Sequence, residues 1–448
     1  MQFNEVFKPD PILTRILVPI KPEHGRKYIP SQFVLRFVYG GKHYVSNLLT
    51  KQCIEATLPD FAYAGEGYDE LIKTMFLVPD NKDECAFYMS LSTVLRAYEK
   101  HKGIQSYVIM PTLGCNARCI YCYEEGMKQV TMTPEIIEQT IRFIVNNRRS
   151  NKLYLSWFGG EPLLCPDIID RISEGVREAG MDYASTMITN GSLITPEIVR
   201  KMSGDWHLSK LQISMDGAEE DYLYRKNYYS YHDYYHKVID SINLLSENGI
   251  HVVVRCNIDE DNWERIPQYV EDLKNGVAEK KNVRLYFAPL NGSRLSDDDL
   301  PLWKKVLHST SLIRKAGFEP AFNEGNGHRF AVTHCMADKG DLVIAPDGSL
   351  YPCEHCPPES RFGDIYNGVT NQVARDEFCR VDIVQDKCRR CSCLPICTAF
   401  RSCPIKDKHC REARELITLG ELETMMAHGV NANVTETNVI DFEPTMIC

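Results

Sequence analysis

Residues 115–122 read Cys-Asn-Ala-Arg-Cys-Ile-Tyr-Cys, which places three thiols, Cys115, Cys119 and Cys122, in a single CxxxCxxC run. No fourth Cys or His follows at the spacing of a zinc site. Structural zinc takes a closed tetrahedron of four ligands. A 4Fe–4S cube held by three thiolates instead keeps one iron open to another molecule. A second group of ten cysteines falls between Cys335 and Cys410. Cys335 and Cys353 flank an Asp347-Gly348 turn, which predicts a hairpin with a cysteine beyond each strand. Cys356, Cys379, Cys388, Cys391, Cys393, Cys397, Cys403 and Cys410 follow. Cys353-x2-Cys356 and Cys388-x2-Cys391 also have the spacing of zinc pairs. The scattered Cys53, Cys85, Cys165, Cys256 and Cys448 read as small hydrophobes.

These thiols lie in a chain of 448 residues, a length that predicts two or three domains. The 44% of apolar residues excludes disorder as the main state. A formal charge of −10 argues against nucleic acid as a partner. No apolar run approaches the ~20 residues of a membrane span, and the first residues lack a signal-peptide pattern, so the expected setting is cytoplasmic, with no membrane partner. Reduced cytosolic thiols argue for metal binding rather than disulfides.

Three regions are expected. Residues 1–103 carry two β-rich runs around Gly40-Gly41, a hairpin within 32–49, then helical stretches, and predict a small winged-helix-like unit. Residues 104–316 alternate short apolar strands, at 106–112, 153–158, 185–189, 211–215, 252–257 and 284–290, with periodic helices. That α/β pattern predicts a partial (β/α)6 barrel whose active edge is the C-terminal end of its strands. Residues 317–448 show little periodicity before a helix near 412–428, and metal cross-links are expected to replace a hydrophobic core there. Seven tyrosines between Tyr222 and Tyr235 predict an aromatic-rich loop that lines a peptide groove or packs on itself.

The CxxxCxxC run with Tyr121 before its third cysteine resembles the signature of the radical S-adenosylmethionine (SAM) superfamily. The resemblance implies that the open iron chelates SAM and that electron transfer cleaves it to a 5′-deoxyadenosyl radical. The strand ends agree with it. Trp157-Phe-Gly159-Gly160-Glu161-Pro162 resembles the motif that holds the methionine amino group, with glycines for close backbone approach to a ligand. Asn190, Ser214, Asp216, Arg255 and Asn257 stand at later strand ends; Ser214 and Asp216 would face the ribose, Arg255 and Asn257 the carboxylate or ribose, and Ala288-Pro289-Leu290 the adenine.

The later cysteines resemble the SPASM extension, which implies two auxiliary 4Fe–4S clusters and therefore three in all. By that resemblance Cys335, Cys353 and Cys403 ligate one, with Cys356 either completing it or leaving an open iron, and Cys388, Cys391, Cys397 and Cys410 ligate the other. Five residues rather than the usual three separate Cys397 from Cys403, so the partition stays open. The whole resembles maturases of ribosomally made peptides. It implies a precursor peptide whose leader adds a strand to the N-terminal hairpin, a thioether or carbon–carbon cross-link, and a reductant such as flavodoxin or ferredoxin. The alternatives are a sulfatase-maturating, formylglycine-forming enzyme and a non-catalytic zinc-binding protein.

Overall fold

The computed structural model describes residues 4–56, 67–100, 106–148, 152–230, 233–290, 300–321, 341–355, 358–378, 386–397 and 411–429. In the N-terminal part, strands Asn4–Phe7 (β1), Val34–Tyr39 (β3), Lys42–Asn47 (β4) and Cys53–Glu55 (β5) form an antiparallel sheet in the order β1-β5-β4-β3. Tyr28–Pro30 (β2) pairs separately with Leu77–Pro79 (β6). Helices Pro11–Ile16 (α1), Tyr68–Lys73 (α2) and Glu84–Lys100 (α3) complete this part. The expected hairpin is β3–β4. Its two-residue turn is Gly40-Gly41, with φ of 57° and 76°, left-handed values that glycine adopts without strain and that match the twist of a tight hairpin.

Then come Ser106–Ile109 (β7), Pro134–Asn146 (α4), Lys152–Trp157 (β8), Pro166–Glu178 (α5), Asp182–Thr189 (β9), Pro196–Ser203 (α6), Leu208–Ser214 (β10), Glu219–Lys226 (α7), Tyr234–Glu247 (α8), His251–Ile258 (β11), Ile266–Gly276 (α9), Val283–Pro289 (β12), Leu300–Lys315 (α10) and Glu319–Pro320 (β13). Strands β7 to β13 pair in chain order, all parallel, as six βα units of a partial barrel require. Alternate strand residues, among them Leu153, Leu155 and Trp157 of β8, are buried against the helices, while Tyr154 between them is exposed. Thr133 and Thr195 cap α4 and α6 by accepting the third-residue N–H, and a proline occupies the first turn of each.

Trp206 has no exposed surface, and its indole N–H donates to Asp170 Oδ1 at 2.7 Å. Trp206→Ala is therefore expected to cost about 3–5 kcal/mol, read as a lowered midpoint of urea unfolding.

The C-terminal region departs from expectation. Leu342–Ile344 (β14) adds in parallel to β7, and Ser349–Tyr351 (β15), Gly363–Asp364 (β16) and Gly368–Val369 (β17) continue the barrel sheet antiparallel. The expected hairpin is β14–β15, with Gly348 at φ 81°. Leu342, Ile344, Leu350, Phe362 and Ile365 belong to the main core. A turn at 386–397 and helix Arg411–Gly429 (α12), which follows Gln372–Phe378 (α11), place Cys393, Leu419 and Leu422 against Leu35 and Phe37 of β3. The described part of this region thus shares hydrophobic cores with the rest of the chain, which corrects the expectation that metal cross-links replace a hydrophobic core there. Periodicity missed this because three-residue strands bury their apolar residues against other regions.

Candidate functional site

The three first-motif cysteines occupy the loop after β7, all partly exposed free thiols. Two flanks hold that loop. On one side, Gly160 N donates to Thr112 O at 3.1 Å and Glu161 N to Gly114 O at 2.9 Å. A Cβ on Gly159, whose φ is 112°, would lie 2.3 Å from Thr112 O, and one on Gly160 would lie 2.2 Å from Gly114 O. The glycines are thus required by the backbone of the cysteine loop itself, where the sequence suggested approach to a ligand. On the other side, Arg118 N donates to the carbonyls of Lys226 and Asn227, and Ile120 N donates to that of Arg225 at 3.0 Å. Asn227 closes α7 in the left-handed conformation, at φ 46°.

Glu161 is wholly buried. Its Oε1 accepts from Leu163 N at 3.1 Å and Thr189 Oγ1 at 2.7 Å, and its Oε2 accepts from Asn190 N at 2.8 Å. Burial raises the carboxyl pKa, opposed by those hydrogen bonds. The side chain therefore ties the end of β8 to the end of β9. Asn190 Nδ2 in turn donates to Asn116 Oδ1 at 2.8 Å, inside the cysteine loop.

Asp216 also has no exposed surface. Its Oδ1 accepts from Asn257 N at 3.0 Å and Asn257 Nδ2 at 2.9 Å, while Oδ2 accepts from the Tyr121 hydroxyl and pairs with Lys226 Nζ at 3.1 Å. Ser214 Oγ accepts from Lys226 Nζ at 2.9 Å. Asp216 and Ser214, the residues expected to face a ribose, thus meet protein partners around a buried cation. Arg255 Nε donates to Asn257 Oδ1 at 2.9 Å.

Sequence reasoning missed Lys226. Its one signal is position, four residues after the buried Tyr222 and so on the same helical face. The helix itself escaped notice because Glu219–Lys226 carries few apolar residues. The tyrosine segment is correspondingly shorter than a loop. Tyr222 lies on α7 and Tyr234 and Tyr235 on α8; the Tyr222 and Tyr228 hydroxyls bond at 2.7 Å, and the Tyr228 and Tyr234 rings stack at 4.0 Å. Tyr224 and Tyr229 are exposed, and Tyr231 lies outside the described residues.

Of the later cysteines, Cys353, Cys388, Cys391, Cys393 and Cys397 lie among the described residues, Cys393 buried and the others partly exposed, whereas Cys335, Cys356, Cys379, Cys403 and Cys410 lie outside them. Cys388, Cys391 and Cys397 share the 386–397 turn, where Cys391 N donates to Cys388 O at 3.1 Å. The turn holding Cys353 reaches the first site: the His355 ring lies edge-on to Tyr123, the residue after Cys122, with centroids 4.6 Å apart.

A family model described as the radical SAM superfamily matches residues 109–273. The chain is 31% identical over 285 residues to a probable GTP 3′,8-cyclase of Methanothermobacter marburgensis, covering 58% of this chain and 87% of that one. It is 22% identical over 277 residues to the antilisterial bacteriocin subtilosin biosynthesis protein AlbA of Bacillus subtilis, 56% of this chain and 55% of that one. Among solved structures, anSMEcpe with bound AdoMet and the Kp18Cys peptide aligns with a TM-score of 0.55 at 17% identity, covering 72% of this chain and 98% of that one. Streptococcus suis SuiB bound to its precursor peptide SuiA aligns with a TM-score of 0.51 at 16% identity, covering 85% and 96%.

Proposed function

The chain belongs to the radical SAM superfamily, and from that premise we propose that it modifies a ribosomally made precursor peptide, forming a thioether or carbon–carbon cross-link. Membership brings SAM and one 4Fe–4S cluster, and the three-thiol loop fits the cluster. Burial raises Cys115 to about 12 and also raises Cys122, so neither ionises readily as a bare thiol, while coordination to iron removes the proton outright. When bound, the cluster and SAM supply a 5′-deoxyadenosyl radical that takes a hydrogen atom from the peptide. Cys115, Cys119 and Cys122 would be the ligands. Glu161, with Gly159 and Gly160, would fix the loop edge that meets the methionine amino group, and Asn190, Arg255 and Asn257 would present polar groups at the barrel mouth. Ala288-Pro289-Leu290 would meet the adenine. Auxiliary clusters would take Cys353 and the thiols of the 386–397 turn, together with Cys335, Cys356, Cys403 and Cys410. A flavodoxin or ferredoxin of the cytoplasm would supply electrons; among the described residues no helix is long and apolar enough to cross a membrane.

The observation that carries the peptide reading is strand β3. It is an edge of the N-terminal sheet, and among the described residues no strand pairs with its outer side. Leu48 N donates to Phe33 O at 2.8 Å. By alternation, Arg36 and Val38 direct their backbone N–H and C=O to the outer side, where an extended leader would pair. Val38→Pro removes one outward donor and leaves the β3–β4 ladder intact, since proline is tolerated at a sheet edge. It is expected to weaken precursor binding about tenfold, read by fluorescence anisotropy, with iron content unchanged. Unaltered binding would remove β3 as the leader site. Likeness to the anSMEcpe complex favours a second reading, formylglycine formation; a product aldehyde trapped by hydroxylamine would select it over a cross-link.

A further inference from the structure

The 386–397 turn contains no strand or α-helix, only short 3-10 helices at Asp386–Cys388 and Leu394–Ile396. It nevertheless sits between the N-terminal sheet and helix α12. Gln32 Nε2 donates to Arg389 O at 3.1 Å, and Tyr88 Oη donates to Pro395 O at 3.4 Å. Leu394 is buried in one apolar cluster with Phe33 and Tyr88, and Cys393 in another with Leu35 and Phe37. On the far side, Ser392 Oγ donates to Oε1 of the buried Glu415 of α12 at 2.9 Å. Gln32 is itself held in place: the buried Glu84 accepts from Gln32 N at 2.7 Å and from Ser31 Oγ at 2.6 Å. The turn therefore meets the entry to β3 at Gln32 and one face of β3 at Leu35 and Phe37.

The thiols bracket these contacts. Arg389 lies between Cys388 and Cys391, and Cys393, Leu394 and Pro395 lie between Cys391 and Cys397. The backbone bonds inside the turn reach no further than three residues, as from Cys391 N to Cys388 O and from Cys397 N to Leu394 O. Bonds of that kind have poor geometry and hold only short pieces of chain. Tying the three thiols to one metal centre closes both loops, so binding the metal orders the two stretches that touch the N-terminal part.

We propose that the auxiliary cluster of the 386–397 turn has a further function as a clasp: by closing the turn it holds Gln32, Leu35 and Phe37 and so fixes strand β3, the edge to which the precursor leader would add. The inference rests on the readings that these thiols hold an auxiliary cluster and that β3 is the leader edge.

The test is hydrogen–deuterium exchange of the full chain, purified without oxygen and read by mass spectrometry over residues 31–39, with residues 182–189 of β9 as the internal reference. Cys388 is partly exposed and belongs to neither apolar cluster, so Cys388→Ser changes metal binding with little effect on packing. It is expected to lower the iron content and to raise exchange over 31–39 about tenfold, with 182–189 unchanged. Gln32→Leu removes the bond to Arg389 O and keeps the bulk of the side chain. It is expected to raise exchange over 31–39 about threefold with iron unchanged. Should the Cys388→Ser protein fail to fold, unaltered protein stripped of iron by a chelator is expected to show the same rise, reversed on reconstitution with iron and sulfide. Lowered iron with unaltered exchange over 31–39, or a rise equal to that over 182–189, would overturn the clasp, as would a Gln32→Leu protein that exchanges like the unaltered chain. Undiminished iron in Cys388→Ser would instead overturn the cluster reading at this turn, and the leader reading fails separately, in the Val38→Pro binding experiment.

Discussion

Cys119→Ala protein purified without oxygen is expected to fold as the unaltered chain does, to carry about four irons fewer per chain, and to form no 5′-deoxyadenosine from SAM. The expectation separates chemistry from folding. The loop around Cys119 is shaped by backbone bonds from Arg118 and Ile120 to the end of α7 and from Gly160 and Glu161 to Thr112 and Gly114, none of which uses the thiol. The Cys119 side chain is only partly buried, so its loss belongs with substitutions that change stability by about 0.5 kcal/mol or less. Three thiolates hold the cube, and two leave it without its protein attachment at the central position. The measurement pairs iron analysis with chromatography of deoxyadenosine. Retained deoxyadenosine formation would contradict the assignment.

Gly160→Ala is expected to remove the same activity by a different route. The new Cβ would lie 2.2 Å from Gly114 O, 2.6 Å from Gly114 C and 2.8 Å from Leu113 C, all backbone atoms that no rotamer change relieves. Either the Gly-Gly-Glu loop or the cysteine loop must retreat, breaking the Glu161 N to Gly114 O bond. Overpacking of this kind costs about 1–3 kcal/mol, concentrated in the segment that ends in Cys115. Iron should fall toward the level of the Cys119→Ala protein, with a lower unfolding midpoint that the cysteine variant lacks. Gly126→Ala is the control: its φ is 80° with nothing within 4 Å of the new atom, so it is expected to cost about 1 kcal/mol of backbone strain and to retain iron. Equal iron loss in both variants would contradict the close-approach argument.

The barrel was legible because its strands and helices each repeat a period. All six expected barrel strands are present, paired in chain order, within a few residues of their expected ends. The Gly40-Gly41 and Asp347-Gly348 hairpins were legible because turn chemistry is local. What escaped is what depends on partners distant in sequence. Strand β14 is three residues long and gains its place only by pairing with β7, more than two hundred positions earlier. Helix α7 is polar along most of its length and is fixed by what its last turn holds. At the site, residue types at strand ends pointed to Glu161, Asp216 and Asn257, yet a sequence does not disclose that a carboxylate at such a position is enclosed. Glu161 and Asp216 have no exposed surface and bond to protein groups, so they order the loops around the three thiols. Lys226, the cation that completes that order, carries no motif of its own.

The central claim, a radical SAM enzyme with one cluster at Cys115, Cys119 and Cys122 and two more on the later cysteines, meets its most direct test in the iron, sulfide and zinc content of protein handled without oxygen, read with its visible absorption spectrum. The account predicts about twelve irons per chain with matching sulfide, three cubes of four. Zinc near two per chain with no iron would contradict it.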